Sequence, residues 1–244
     1  IADIAAANTA TGVLSTGFLR ARRRQAAHAR PEPVVPPRAS VGRWRAMALD
    51  MPLLETARLI IRPFALDDLE ACHQLLDHEA WQTGQSLAQR RQWLEWCVRN
   101  HGALARLEQP PYGDRAVVLR ATGELIGSIG LVPSLGPFDR LPSFGGDAGA
   151  ARYRPEVGLF WAVRSAHRRR GYASEAARAV IAYAFAALQL GRVIATTEDA
   201  NLASQAVMRR LGMTVERNPL PEPVWFQTVG VLQALPSGTG GDST

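Results

Sequence analysis

The residues with the clearest chemical meaning form a basic turn at positions 167–171, where Arg168, Arg169 and Arg170 precede Gly171. An apolar run at residues 157–163 comes before the turn and predicts a buried strand. An alanine-rich segment at residues 173–190 follows it and predicts a helix that ends at Gly191. The first turn of a helix presents unpaired N–H groups and a positive dipole end, which favour anions. We therefore predict a phosphate site here.

The spacing of this turn is specific. Arg168, Gly171 and Ala173 fit the pattern Gln or Arg, two residues, Gly, one residue, Gly or Ala. Walker and Rossmann loops need glycines that this turn lacks. The pattern resembles the pyrophosphate loop of the GNAT N-acetyltransferases, and the flanks resemble their RimJ/RimL-like branch. The resemblance covers about residues 53–232 and depends on positions 54–63, 171–178, 183–185, 192–195, 201, 204 and 210–213.

The resemblance implies that acetyl-CoA is the cosubstrate and that no metal takes part. The backbone of the preceding strand would pair with the pantetheine arm and supply a fixed oxyanion donor. Asn201 occupies the family position that contacts this arm, and it could equally cap the helix near Leu202. The implied cofactor-binding residues, those of the strand and then those of the phosphate turn, are Trp161, Ala162, Val163, Arg168, Arg169, Arg170, Gly171, Tyr172, Ala173 and Ser174.

Two residues depart from the family pattern of this loop. Ser165 stands where the family has a proline. Arg169 stands where the family has a glycine, at a place where the backbone approaches the phosphates closely. The path of the loop is therefore left open by the sequence.

Glu156 is our candidate for the base that takes the proton of the acceptor amine. Amines are mostly protonated at neutral pH, so a carboxylate in the site could accept that proton directly or through water. Glu156 begins the predicted strand and shares one face of it with Gly158 and Phe160. Related sequences often carry this glutamate two residues nearer the loop. A solvated glutamate at the strand end is the alternative.

Ser204 is our candidate for the acid that serves the leaving thiolate. Many members of the superfamily place a tyrosine seven residues after the asparagine, but that position is Met208, which cannot donate a proton. The RimL-like pattern has a serine three residues after the asparagine, and a small residue on the helix surface is its alternative reading. We interpret His167 as a turn residue and Glu175 as a complement to the positive end of the helix.

The function expected from the resemblance is an N-acetyltransferase that transfers acetyl from acetyl-CoA to a primary amine by direct attack. A protein N-terminus and a small-molecule amine both remain as acceptors. A non-catalytic acyl-CoA-binding module of the same fold is the alternative. We expect a cytoplasmic protein without membrane partner, and a homodimer is left open.

The charge of the chain is uneven. The net charge is +6, with 28 arginines and no lysine. Residues 1–46 carry eight arginines and two acids, whereas the other 20 arginines and 20 acids balance. Nucleic-acid binding by the domain therefore loses its main support. We expect a mostly disordered extension at residues 1–52, either an upstream extension or a transit peptide, then the domain at 53–232 and a flexible tail at 233–244.

The remaining elements follow from periodicity and breakers. Cys72 and Cys97 fall in predicted helices and read as buried thiols. Strands and helices would alternate to give a mixed sheet with helices on both faces, the α/β arrangement of the GNAT fold. The predicted elements are a strand at 57–64, helices at 66–78 and 87–107, a hairpin at 115–120 and 124–132, an unpatterned connection at 133–152, strands at 157–163 and 192–197, helices at 173–190 and 202–211, and closing strands at 213–217 and 224–232.

Overall fold

The computed structural model describes residues 51–147, 149, 152–220 and 222–235. The predictions for an extension before residue 51 and for a tail after residue 235 lie outside these residues. The strands are β1 (Leu54–Glu55), β2 (Leu59–Pro63), β3 (Gly113–Leu119), β4 (Leu125–Gly136), β5 (Arg154–Val163), β6 (Arg192–Thr197), β7 (Thr214–Arg217) and β8 (Thr228–Gln233). The helices are α1 (Leu69–His73), which continues as a π-helix over Gln74–Ala80, then α2 (Leu87–Arg106), α3 (Tyr172–Ala186) and α4 (Leu202–Arg210).

The eight strands form one mixed sheet in the order β1-β2-β3-β4-β5-β6-β8-β7. Neighbouring strands are antiparallel except β5 and β6, which are parallel. β4 and β5 pair along their whole shared length, whereas β5 and β6 meet in register at Gly158 and Ile194. The two parallel strands therefore diverge beyond Gly158, and the last five residues of β5 leave backbone groups facing a gap.

Helices cover both faces of the sheet, as predicted. α3 packs its small residues against one face, and Ala176, Ala177 and Ala184 are almost fully buried there. Their short side chains let the helix lie close to the strands. On the other face, α1, its π-helical continuation and α2 bury Leu75 and Leu94 in a second core. Cys72 and Cys97 are both buried with free thiols, as expected.

Several predicted boundaries are wrong, and each error has a local cause. The predicted connection at 133–152 holds the end of β4 and two 3₁₀ turns, whose Phe138 and Leu141 are fully buried in a third core cluster. The last predicted strand begins with a 3₁₀ turn over Val224–Phe226, because Phe226 packs into the same cluster and sheet pairing starts at Thr228.

Two further differences concern element ends. α3 stops at Ala186 and not at residue 190, and Gln189 takes a left-handed conformation (φ 54°) before the next strand. Gly191 is therefore not the residue that ends the helix. The two-residue strand β1, which pairs with β2, was not predicted because one leucine and one glutamate are too few residues to carry a periodic signal. Ser86 caps α2 and accepts a hydrogen bond from the Gln89 N–H.

Candidate active site

The basic turn connects β5 to α3 through a 3₁₀ turn, and it ends in two residues with left-handed backbone. Arg169 has φ 62° and Gly171 has φ 82°. Gly171 is the N-cap of α3 and offers no side-chain cap. The N–H groups of the first turn of α3 therefore remain as donors for a ligand. Arg169 takes the conformation that suits glycine, so the loop keeps a glycine-like path at this departure from the family pattern.

Glu79 fixes the turn from the end of the π-helix. The N–H and hydroxyl groups of Ser165 donate to one Glu79 carboxylate oxygen at 2.5 and 2.7 Å. Arg164 adds an ion pair at 3.3 Å. Desolvation acts to raise the pKa of Glu79, but the hydrogen bonds from Ser165 dominate and lower it to about 2. The Arg168 guanidinium donates to the Glu79 carbonyl oxygen at 2.7 Å, so this side chain also serves the turn.

A groove of about 970 Å³ runs from this turn along the gap between β5 and β6. Two residues that line it each carry a buried polar atom, Ser174 Oγ and His167 Nδ1, without a hydrogen-bond partner in the described part of the chain. Buried polar atoms are normally paired, so both call for a ligand. Together with the free N–H groups of the turn, they fit an anionic group. Of the predicted cofactor-binding residues, the groove is lined by Trp161, Ala162, Val163, Arg168, Arg169, Gly171, Tyr172, Ala173, Ser174 and Asn201.

Arg170 is the predicted cofactor residue that does not line the groove, and its carbonyl oxygen accepts a hydrogen bond from Arg58 at 3.1 Å. Glu175 also binds Arg58, with an ion-pair distance of 2.5 Å. Desolvation opposes the shift, but hydrogen bonds from Thr56 and Arg58 lower the pKa of Glu175. These contacts tie the start of α3 to the start of β2.

Asn201 and Ser204 come together at the N-terminus of α4. The Asn201 side-chain oxygen accepts from the Ser204 N–H at 3.0 Å, so the helix-cap reading of this asparagine is confirmed. The cap uses only the side-chain oxygen, and Asn201 also lines the groove. Ser204 also lines the groove. Met208 is fully buried in the core.

Glu156 is held away from the lining of the groove by an ion pair. The Arg192 guanidinium donates to its two carboxylate oxygens at 2.5 and 3.0 Å. Arg154 lies 3.6 Å away, and only 8% of the Glu156 side chain is exposed. These contacts favour a structural role, and the assignment of Glu156 as the base stays a prediction.

A second cavity, of about 600 Å³, lies under α2 and ends at the same gap between β5 and β6. Aromatic side chains form much of its wall, with carboxamides from Gln85 to Asn100 beside them. Trp81 lines both this cavity and the groove. The aromatic residues of the wall are Trp81, Trp93, Trp96, Tyr112 and Phe160.

Asp114 is the carboxylate in this wall, and it was missed by the sequence analysis. In sequence, Asp114 follows the helix and strand breakers at Pro110 to Gly113, a pattern that indicates a turn. In the structure, it is the second residue of β3. Ser128 donates to its carboxylate at 3.1 Å. Desolvation raises the pKa of Asp114 to about 7, against the lowering effects of Ser128 and the charge of Arg90. A lone acid beside breakers gives no signal in sequence, because its burial depends on α2.

Residues 58–214 match the family described as "Acetyltransferase (GNAT) domain". The uncharacterized N-acetyltransferase YoaA of Bacillus subtilis (strain 168) is 30% identical over 166 residues, which are 68% of this chain and 84% of that protein. The uncharacterized N-acetyltransferase YnaD of the same organism is 41% identical over 61 residues. That match spans 25% of this chain and 35% of YnaD.

Solved structures show the same fold. An acetyltransferase from Agrobacterium tumefaciens str. C58 superposes with a TM-score of 0.55 at 26% identity, over 79% of this chain and all of that one. RimL, a ribosomal L7/L12 alpha-N-protein acetyltransferase solved in complex with coenzyme A, superposes with a TM-score of 0.50 at 16% identity. That match covers 74% of this chain and 96% of RimL.

The family match, together with the shared fold, identifies an acetyltransferase. The chain belongs to the GNAT acetyltransferase family, of the RimJ/RimL type, and it is an N-acetyltransferase that uses acetyl-CoA. This favours the enzyme over the non-catalytic binding module.

None of the described helices has the length and apolar character to cross a membrane. The described residues contain no cluster of histidine, cysteine and acidic side chains that could hold a metal ion.

Proposed function

We propose that the enzyme acetylates a primary amine by direct attack of the amine on the thioester. The observation that supports this is the meeting of two cavities at the gap between β5 and β6, where they share Trp81. One cavity carries the phosphate turn, and the other has an apolar and aromatic wall. Cosubstrate in the first and amine in the second would be held side by side, which removes the entropic cost of bringing them together.

The groove would hold acetyl-CoA through the residues predicted from the sequence. The N–H groups from Gly171 to Ser174, with Ser174 Oγ and His167 Nδ1, would receive the pyrophosphate. The backbone of Trp161 and Ala162 lines the gap and would pair with the pantetheine arm. The Val163 carbonyl oxygen accepts a hydrogen bond from the Arg168 guanidinium at 3.1 Å, so pairing there would require that side chain to move. Asn201 would donate to the same arm. RimL, whose fold this chain shares, was solved with coenzyme A bound.

Ser204 would donate a hydrogen bond to the leaving thiolate from the first turn of α4. The proposal is supported by its place in the groove, beside Asn201. Ser204→Ala should then lower kcat while leaving the affinity for CoA within about twofold, since only the leaving group is affected. An unchanged kcat would make Ser204 a residue of the helix surface.

Release of free thiol from acetyl-CoA with a panel of amines tests the proposal. The panel contains arylalkylamines, alkylamines and short peptides with a free N-terminus, each at several concentrations. Release that saturates with one class, and mass-spectrometric detection of the acetylated amine, would support the proposal. Binding of acetyl-CoA without acetylation of any amine in the panel would contradict it.

A further inference from the structure

We infer that Asp114 is the counter-ion for a cationic acceptor, and that its cavity takes a compact amine with an aromatic body. This inference rests on the proposed function and assigns a substrate class to its acceptor cavity. It follows from three features of the described residues: where Asp114 lies, what it lacks, and what surrounds it.

The sheet register places Asp114 on the face that the cavity occupies. Asp114 pairs with Gly130 on β4, and Gly130 pairs with Phe160 on β5. Residues in direct register project to the same face, so Asp114 and Phe160 point to one side, two strands apart. Neighbouring strands are about 4.8 Å apart, which puts the carboxylate within the length of a small amine from the gap.

The carboxylate of Asp114 has no ion pair among the described residues. The charge of Arg90 lowers the pKa of Asp114, but the Arg90 guanidinium is paired with another acid. It donates to both carboxylate oxygens of Asp77 at 2.7 and 2.8 Å. The hydroxyl of Ser128 is its hydrogen-bond donor. A desolvated carboxylate without a cation is costly, and a cationic ligand would remove that cost.

The other titratable groups near Asp114 do not supply that cation. Cys72 on α1 and Cys97 on α2 are buried thiols, and burial raises the pKa of both, to about 12 for Cys72, so they stay neutral near pH 7. His101 on α2 contacts the main-chain carbonyl of Asp114 at 3.1 Å. Arginine is absent from the described residues that line the cavity, and Asp114 is its one acid.

The rest of the wall fits an aromatic body and a positive charge. Trp81 and Phe160 lie with ring centres 6.0 Å apart, next to the gap. Trp96 is half exposed (50%) although it is large and apolar, and it lies on the cavity side of α2. Aromatic faces attract cations and stack on flat rings. A volume of about 600 Å³ suits a small molecule.

Binding of 2-phenylethylamine in the presence of saturating CoA tests the inference by calorimetry, without turnover. The wild-type affinity should rise from pH 6 to pH 8, because Asp114 ionises in this range while the amine keeps its charge. Asp114→Asn should weaken binding at pH 8 by about tenfold or more and remove the rise with pH. The neutral analogue 2-phenylethanol should bind both proteins within about twofold.

Matched variants separate recognition from structure. Asp67→Asn makes the same change of charge at an exposed aspartate that does not line the cavity, and this variant should bind the amine as the wild type does. Trp96→Ala should weaken 2-phenylethylamine but not n-butylamine, and it should leave the melting temperature nearly unchanged because the ring is half exposed. CoA affinity of Asp114→Asn within about twofold of wild type shows that the fold is intact.

Three results would overturn the inference. The first is equal amine affinity in Asp114→Asn and wild type. The second is an equal loss of affinity for 2-phenylethanol and for 2-phenylethylamine in Asp114→Asn. The third is tighter binding of a peptide with a free N-terminus than of 2-phenylethylamine, with an affinity that Asp114→Asn does not change. Thiol release keeps the two proposals apart. Acetylation of amines that is unaffected by Asp114→Asn would sink this inference alone, whereas charge-dependent binding without acetylation would sink the proposed function alone.

Discussion

Arg169 and Gly171 share a left-handed backbone conformation, although only one of them is a glycine. A non-glycine residue pays roughly 1–2 kcal/mol for this conformation. The strain stays within a turn that Glu79 holds from outside, and the Arg169 side chain lines the groove. The phosphate turn thus keeps a left-handed backbone at residue 169 although the residue there is an arginine.

Gly171→Val should weaken CoA binding by more than about tenfold, or 1.4 kcal/mol. Valine at φ 82° is strained, and its side chain would enter the place where the backbone meets the phosphates. Gly123, in the β3–β4 turn, has φ 73° and open space around it. Gly123→Val is therefore the control: it should cost similar stability and leave CoA affinity unchanged. Equal CoA affinity in the two variants by calorimetry would place the phosphate site elsewhere.

Asp114→Asn should stabilise the protein at high pH. The pKa of Asp114 is raised from 3.8 in the unfolded chain to about 7 in the folded protein, so the folded state binds the proton more tightly. This group therefore lowers the free energy of unfolding as pH rises from about 4 to 7, and the penalty is constant above that range. Melting temperatures of variant and wild type should separate between pH 5 and pH 8. A gap that does not grow with pH would contradict the raised pKa.

The sequence could predict the phosphate turn because its chemistry is local and lies in consecutive residues. It could not predict Asp114, whose role depends on α2 closing over β3, or the pairing of Glu156 with Arg192, which comes from a different strand. Glu79 was missed for the same reason, since it lies 86 residues from Ser165 in the chain. Side-chain partners from distant elements leave no spacing pattern in a single sequence.

At the scale of elements, hydrogen bonds between Glu79, in the π-helical end of α1, and Ser165 hold the phosphate turn. They take the place of the backbone restriction that a proline at position 165 would provide. The turn has the backbone geometry for proline at position 165, because Arg164 is extended (ψ 142°) and Ser165 begins a 3₁₀ turn. Proline, however, has no N–H and no hydroxyl. Glu79 needs both donors, so serine and glutamate work here as a pair.

Ser165→Pro should therefore destabilise this protein, although proline is the usual residue of the family. The loss of two hydrogen bonds to the partly exposed Glu79 carboxylate should cost about 1–3 kcal/mol. Ser165→Ala keeps the N–H and should cost less. The free energy of unfolding in urea at pH 7 measures both. Because the pKa of Glu79 is lowered to about 2, the stability it contributes is present above about pH 4.5 and is lost as pH falls toward 2. A stable Ser165→Pro variant would show that Glu79 does not hold the turn.

The long periodic elements were predicted almost to the residue, among them α2, β6 and α4. The errors fall where tertiary packing overrides local signals. Phe138 and Phe226 look like loop and strand residues in sequence, yet their rings pack edge to face, 5.0 Å between centres, in a separate core. The end of α3 was overestimated because Leu188 and Leu190 continue the apolar pattern outside the helix.

At the scale of the whole molecule, Met51 marks where the packed domain begins among the described residues. Its side chain is 2% exposed in the main core, and its carbonyl oxygen accepts from the buried Arg115 at 3.0 Å. The described residues that line the two cavities lie between Ala80 and Arg210.

A chain that begins at Met51 should fold cooperatively and bind acetyl-CoA as well as the full-length protein does. A chain that begins at Leu54 should be less stable, because it lacks the buried Met51 side chain and leaves Arg115 without this acceptor. Thermal unfolding and CoA titration of the two shortened proteins compare these effects. Poor folding of the chain from Met51 would show that the N-terminal residues belong to the domain.

Trp81 lines both the groove and the cavity under α2, so the proposed occupants of the two cavities would be thermodynamically linked through its ring. Any molecule that moves its ring in one cavity changes the free energy of filling the other. Linkage is reciprocal, so the factor by which cosubstrate alters amine affinity must equal the factor by which amine alters cosubstrate affinity. The position of this one indole ring would then determine how strongly binding of one substrate changes the affinity for the other.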